Sequence, residues 1–163
     1  MSQTKHWFFG IGLSLLLFFC VRSLPVSASN VALGTGEISF SQKFETDDDN
    51  AEDNFTYHLT PLEAGNPMPE GTEDSIYAFS VKGTARVSAP IVFEHPGFYT
   101  YKLEQVIGSK TKGYTFDRAS YVFEVDVSAN RDEVLIIVKD EAGYKRKNIT
   151  FTNNYQEIGR AHV

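Results

Sequence analysis

The stretch Gly97–Val106, GFYTYKLEQV, alternates without a break. Phe98, Thr100, Lys102 and Glu104 fall on one side of an extended chain, and Tyr99, Tyr101, Leu103 and Gln105 on the other. This period of two admits a strand with one buried face and excludes a helix. The last inward position carries an amide, and a polar group on an apolar face needs a partner or a task.

The same alternation recurs along the chain. Glu37–Phe44 places Ile38, Phe40, Gln42 and Phe44 together, again with one amide among apolar residues. Phe55–Pro61 places Phe55, Tyr57 and Leu59 inward and stops at proline. Ile76–Val87 reads as a strand pair or a bent strand around Gly83, and Ile91–Phe93 as a short separate strand. Ala119–Val127, Val134–Val138 and Asn148–Tyr155 complete the set, the last with Ile149, Phe151 and Asn153 in phase. No window carries a helical period. Short strands separated by turn residues predict an all-β antiparallel sandwich of about seven to nine strands.

The ends stand apart from this pattern. Lys5 and His6 precede the apolar run Trp7–Val21, and Val26-Ser27-Ala28 supplies small residues for cleavage. Residues 1–28 are therefore expected to be a signal peptide, followed by a short segment over 29–36 and the sandwich over 37–156. Cys20, the one cysteine, lies inside that peptide, so the mature domain has no disulfide to staple it. The tail 157–163, EIGRAHV, back-translates to a string resembling a sequencing adapter. It is expected to be an artefact, with the natural chain continuing past Gln156.

Chemistry is sparse. There is no nucleophile elbow, no phosphate-cradling glycine loop and no cysteine nucleophile, so the chain is expected not to be an enzyme. Only His58 and His95 remain outside the ends, so no metal and no cofactor is expected. Glu45–Asn54 holds six carboxylates but lacks the glycine and terminal glutamate of a hand-type calcium loop, and reads as a solvated connection. Between Ser29 and Gln156, 12 basic side chains face 20 acidic ones, a net charge of −8. That balance argues against nucleic acid and against an anionic membrane as partner. What stands out is three amides on inward strand positions: Gln42, Gln105 and Asn153.

Together and in order, FTYHLTP at Phe55, PGFYTYKLEQV at Pro96, GYTFDRASYVFEVDV at Gly113 and ITFTNNY at Ile149 resemble the isopeptide-linkage domain of Gram-positive, streptococcal-type pilins. The resemblance covers about Glu37 to Tyr155. It implies an immunoglobulin-like sandwich whose first strand offers a lysine, last strand an asparagine and middle strand an acid. In such domains the neutral amine attacks the asparagine carbonyl, ammonia leaves and an amide cross-link forms. The resemblance further implies a secreted subunit at the cell surface, cell wall or fimbrium. Its partners would be other pilin subunits and, through sortase, the cell wall. A minor or basal pilin, or the first domain of a shaft pilin, fits best; an adhesin or ligand-binding module that meets host surface proteins is the alternative.

Carried over by position, Asn153 matches the acceptor. The lysine position is Gln42, and the acid position is Gln105. Lys43 and Glu104 each stand one residue away and, on regular alternation, on the opposite face. A bulge in each strand would be needed to bring them in. The cross-link is therefore expected to be absent, with Gln42, Gln105 and Asn153 forming a hydrogen-bonded amide cluster.

Overall fold

A computed structural model describes residues 32–48, 51–130 and 133–157. The expected signal peptide, and all of the expected foreign tail except Glu157, lie outside the described residues. Ten strands run in the order β1 (Gly34–Thr46), β2 (Asn54–Pro61), β3 (Tyr77–Lys82), β4 (Ala85–Phe93), β5 (Gly97–Val106), β6 (Tyr114–Thr115), β7 (Ser120–Val127), β8 (Val134–Asp140), β9 (Lys145–Arg146) and β10 (Thr150–Tyr155). Two of them, β6 and β9, are two-residue pairings. The other eight fall within the expected number.

The strands form two sheets, one ordered β4-β1-β10-β6 and the other β3-β2-β5-β7-β8-β9. Alternation decides which residues meet between them. The first sheet contributes Ile38, Phe40, Ala89, Ile91, Phe93 and Phe151 to the core. The second contributes Phe55, Tyr57, Leu59, Tyr101, Leu103, Phe123 and Val125. Phe40, Tyr57 and Phe151 pack as an aromatic triangle, with centroids 4.7 Å apart for Phe40–Tyr57 and Tyr57–Phe151 and 5.6 Å for Phe40–Phe151. Such contacts contribute about 0.5–1.5 kcal/mol each beyond the area they bury.

The region expected to be one strand pair around Gly83 is divided differently. β3 and β4 lie in different sheets, and Ile91–Phe93 is the end of β4, not a separate strand. Gly83 sits at the corner with φ 59°, a left-handed conformation that lets the chain cross between sheets. β4 runs through Pro90 because it is an edge strand, where a missing N–H does not break an interior ladder. Nearly all neighbours are antiparallel, but β1 and β10 are parallel, in register from Ser41↔Thr150 to Thr46↔Tyr155. Before Ser41, β1 is paired only with β4. There it packs against β8 instead: a Cβ on Gly34 would lie 2.6 Å from the Val134 side chain.

A polar group ties the start of β2 to the loop before β6. Asp53 accepts hydrogen bonds from the Tyr114 hydroxyl and, at 2.9 Å, from Lys110 Nζ. Burial raises the Asp53 pKa, but the bonds from Tyr114 and Lys110 outweigh it and hold the carboxyl below its ordinary value. Because the folded value is the lower one, the ion contributes stability above about pH 4, lost as the pH falls through the depressed value. Asp53→Asn should therefore flatten the acid limb of the stability curve below about pH 4, read by urea unfolding at successively lower pH.

The two-residue turn at Asp74-Ser75 has both residues left-handed, with φ 48° and 63°, closed by reciprocal backbone bonds between Glu73 and Ile76 of 3.0 and 2.7 Å. This is the geometry of a type I′ turn, which favours glycine at its second position. Ser75→Gly should raise stability by about 0.5 kcal/mol, visible as a higher melting temperature.

Candidate functional site

Gln42 and Asn153 are the only polar residues among the described ones that are buried throughout, with 1% and 0% of their surfaces exposed. Their strands place them there. Gln42 follows Ile38 and Phe40 on the inward phase of β1, and Asn153 follows Phe151 on that of β10. The parallel ladder brings the two side chains together, and β2 presents Tyr57 from the facing sheet.

The bonds satisfy the donors and acceptors. Asn153 Nδ2 donates to Gln42 Oε1 at 2.8 Å and to Tyr57 Oη at 3.2 Å. The Tyr57 hydroxyl donates to the same Gln42 oxygen. Gln42 Nε2 donates to the Lys43 carbonyl at 2.9 Å. Asn153 Oδ1 accepts the backbone N–H of Asp117 at 3.0 Å. Asp117 is itself held by two backbone N–H groups at 3.0 Å, Ala119 to Oδ1 and Thr152 to Oδ2. Burial pushes the Tyr57 phenol well above its ordinary pKa, an effect the Asn153 bond offsets only in part and the Asp117 charge reinforces. The phenol therefore stays a neutral donor.

The remaining sequence candidates lie elsewhere. Gln105 sits opposite Tyr57 in the β2–β5 ladder and on the inward phase. It makes no bond to Gln42 or Asn153, and its Oε1 is buried without a hydrogen-bond partner. Lys43 points away from the core and pairs with Glu45 at 2.5 Å, its side chain 56% exposed. Glu104 pairs with Lys102 at 2.6 Å on the outer face. Neither strand carries a bulge at these positions; both ladders stay in single-residue register. The Gln42–Asn153–Tyr57 contact holds the strands together and contains neither the amine nor the carboxyl side chain that the implied cross-link would need.

Sequence reasoning did not single out Tyr57 or Asp117 as site residues. Tyr57 had a signal: a tyrosine on the inward phase of FTYHLTP must find a partner for its hydroxyl. Asp117 precedes β7 by three residues and caps its own local turn through Ala119, a common local motif. Its long-range bonds to β10 have no counterpart in the local pattern.

A sandwich whose first and last strands lie side by side, with polar groups buried at their seam, has the immunoglobulin-like arrangement that the sequence resemblance implies. The chain belongs to the FctA family, the Spy0128-like isopeptide containing domain, whose profile matches residues 38–156. Among solved structures, a mutant of the major pilin from Streptococcus pyogenes is 22% identical with a TM-score of 0.50, over 73% of this chain and 50% of that one. The major pilin T-13 from the same organism is 18% identical with a TM-score of 0.50, over 74% of this chain and 52% of that one. These likenesses show the fold. The chain spans about half the length of the pilins it matches. No curated protein matches it in a sequence search. Among the described residues no helix is long and apolar enough to cross a membrane.

Asn153 is the hub of the seam. Asn153→Ala would leave the Asp117 N–H and part of the Gln42 and Tyr57 capacity unpartnered in a dry site. The expected cost is about 2–4 kcal/mol, measured by denaturant unfolding.

Proposed function

We propose that this chain is a structural subunit of a Gram-positive surface pilus whose seam is closed by hydrogen bonds and not by an isopeptide bond. It serves as a minor or basal pilin, or as the first domain of a shaft pilin. It is secreted, joined to other pilin subunits and attached to the cell wall by sortase. Family membership supports the pilus role. The observation that supports an uncross-linked seam is Gln42, which stands where the resemblance implies the lysine, is buried, and bonds to Asn153, the implied acceptor. An amide in that place has no lone pair free to attack a carbonyl, and Gln105 supplies no exchangeable acid proton to assist one.

Intact-mass measurement of the purified chain tests this. The expected mass is that of the uncross-linked polypeptide. The paired substitution Gln42→Lys with Gln105→Glu restores both missing groups and is expected to lower the mass by one ammonia beyond the substitutions themselves. A deficit of one ammonia in the unsubstituted chain, with a peptide joining Lys43 to Asn153, overturns the reading.

A further inference from the structure

We infer that the parallel β1–β10 seam is a shear clamp, and that the domain works as a reversible force-release element that holds under axial load and yields its whole length when the clamp gives. The inference rests on the reading of an uncross-linked seam and adds a mechanical function to it.

The argument starts from direction. β1 and β10 are parallel, the chain enters at the start of β1, at Gly34, and leaves at the end of β10, at Tyr155. Tension on the two ends therefore drags β1 backward and β10 forward along the same line. The strands slide past one another, so every bond from Ser41↔Thr150 to Thr46↔Tyr155 is loaded at once. A pair pulled apart from one end would instead lose its bonds one after another.

The partners show which strand slips. β1 is held on its other side by β4 through nine register pairs, Gly34↔Phe93 to Gln42↔Ala85. β10 has only a two-residue pairing with β6 beyond its ladder to β1. What adds to its hold is side-chain chemistry, with Asn153 bound to Gln42 and Tyr57 and the Thr152 N–H bound to Asp117, together with one backbone bond from the Gln156 N–H to the Gly113 carbonyl at 2.9 Å. The polar cluster thus crosslinks the slipping strand to β1, to β2 and to the turn before β7 without any covalent bond. Withdrawal of β10 also strips Phe151 from its contacts with Phe40 and Tyr57, so the core opens once the strand has moved.

Since nothing covalent spans the seam, all of the chain between Gly34 and Tyr155 is released. At roughly 3.3–3.6 Å per residue, about 120 residues give on the order of 400 Å of extended chain. A cross-link between Lys43 and Asn153 would shield everything between them, leaving only strand ends that are already extended outside it.

Single-molecule force spectroscopy on the full chain, with Cys20→Ser and attachment through Ala32→Cys and Glu157→Cys, reads both quantities. The same chain attached through Asp47→Cys and Glu157→Cys is loaded at one end of the seam and must peel. The expected result is a rupture force several-fold higher in the first geometry, a release near 400 Å there, and recovery of the same event after relaxation. Asn153→Ala is expected to lower the force of the first geometry more than that of the second. Equal forces in the two geometries, with full-length release, overturn the clamp and leave the uncross-linked reading standing. A release of only tens of ångströms means a covalent seam, and overturns both.

Discussion

An asparagine buried on the last strand must have its hydrogen bonds met inside the protein, and the seam of this sandwich is arranged around that requirement. The amide of Asn153 is reached by three different segments: Gln42 from the parallel neighbour, Tyr57 from the opposite sheet and the Asp117 peptide from the approach to β7. A neutral hydrogen bond contributes about 1 kcal/mol net, but leaving one of these groups unpaired costs more than that. The network therefore acts chiefly as a specificity device. β10 shifted by one residue would turn Asn153 out and bring Thr152 or Asn154 to Gln42 and Tyr57 in its place.

The period of two made the sandwich legible. FTYHLTP, GFYTYKLEQV and the β7 stretch each bury the predicted face, because a half-buried strand has to alternate. The inward phase also identified Gln42 and Asn153 as buried amides. The distribution of strands between sheets was less accessible. Nothing local in Ile76–Val87 says that the chain turns a corner at Gly83 rather than a hairpin, since glycine suits both. The contribution of Asp117 was hidden for a related reason. Its partners in β10 lie some 35 residues away, and a pattern read from neighbours carries no information at that distance.

Gln105 shows the limit of phase as a guide to chemistry. Alternation places its side chain on the inward face beside Tyr57, yet the cluster closes without it. Tyr57 and Gln42 already take both hydrogens of Asn153, so the buried Gln105 oxygen finds no donor left on that amide. A carboxylic acid at the same position would be in a drier and more demanding setting, because burial disfavours its charge and would favour a protonated, donating form. The same backbone thus accommodates either a proton-handling group or an idle amide, and the choice at Gln42 decides which of them matters.

The pairing of β1 with β10 also governs when the domain can come into being. Ser41 meets Thr150 across more than a hundred residues of intervening chain, so the core cannot close during synthesis until the final strand is available. Up to that point Phe40 and Tyr57 lack Phe151, and Gln42 lacks Asn153. A domain whose tenth strand completes its core remains pliable until that strand has emerged.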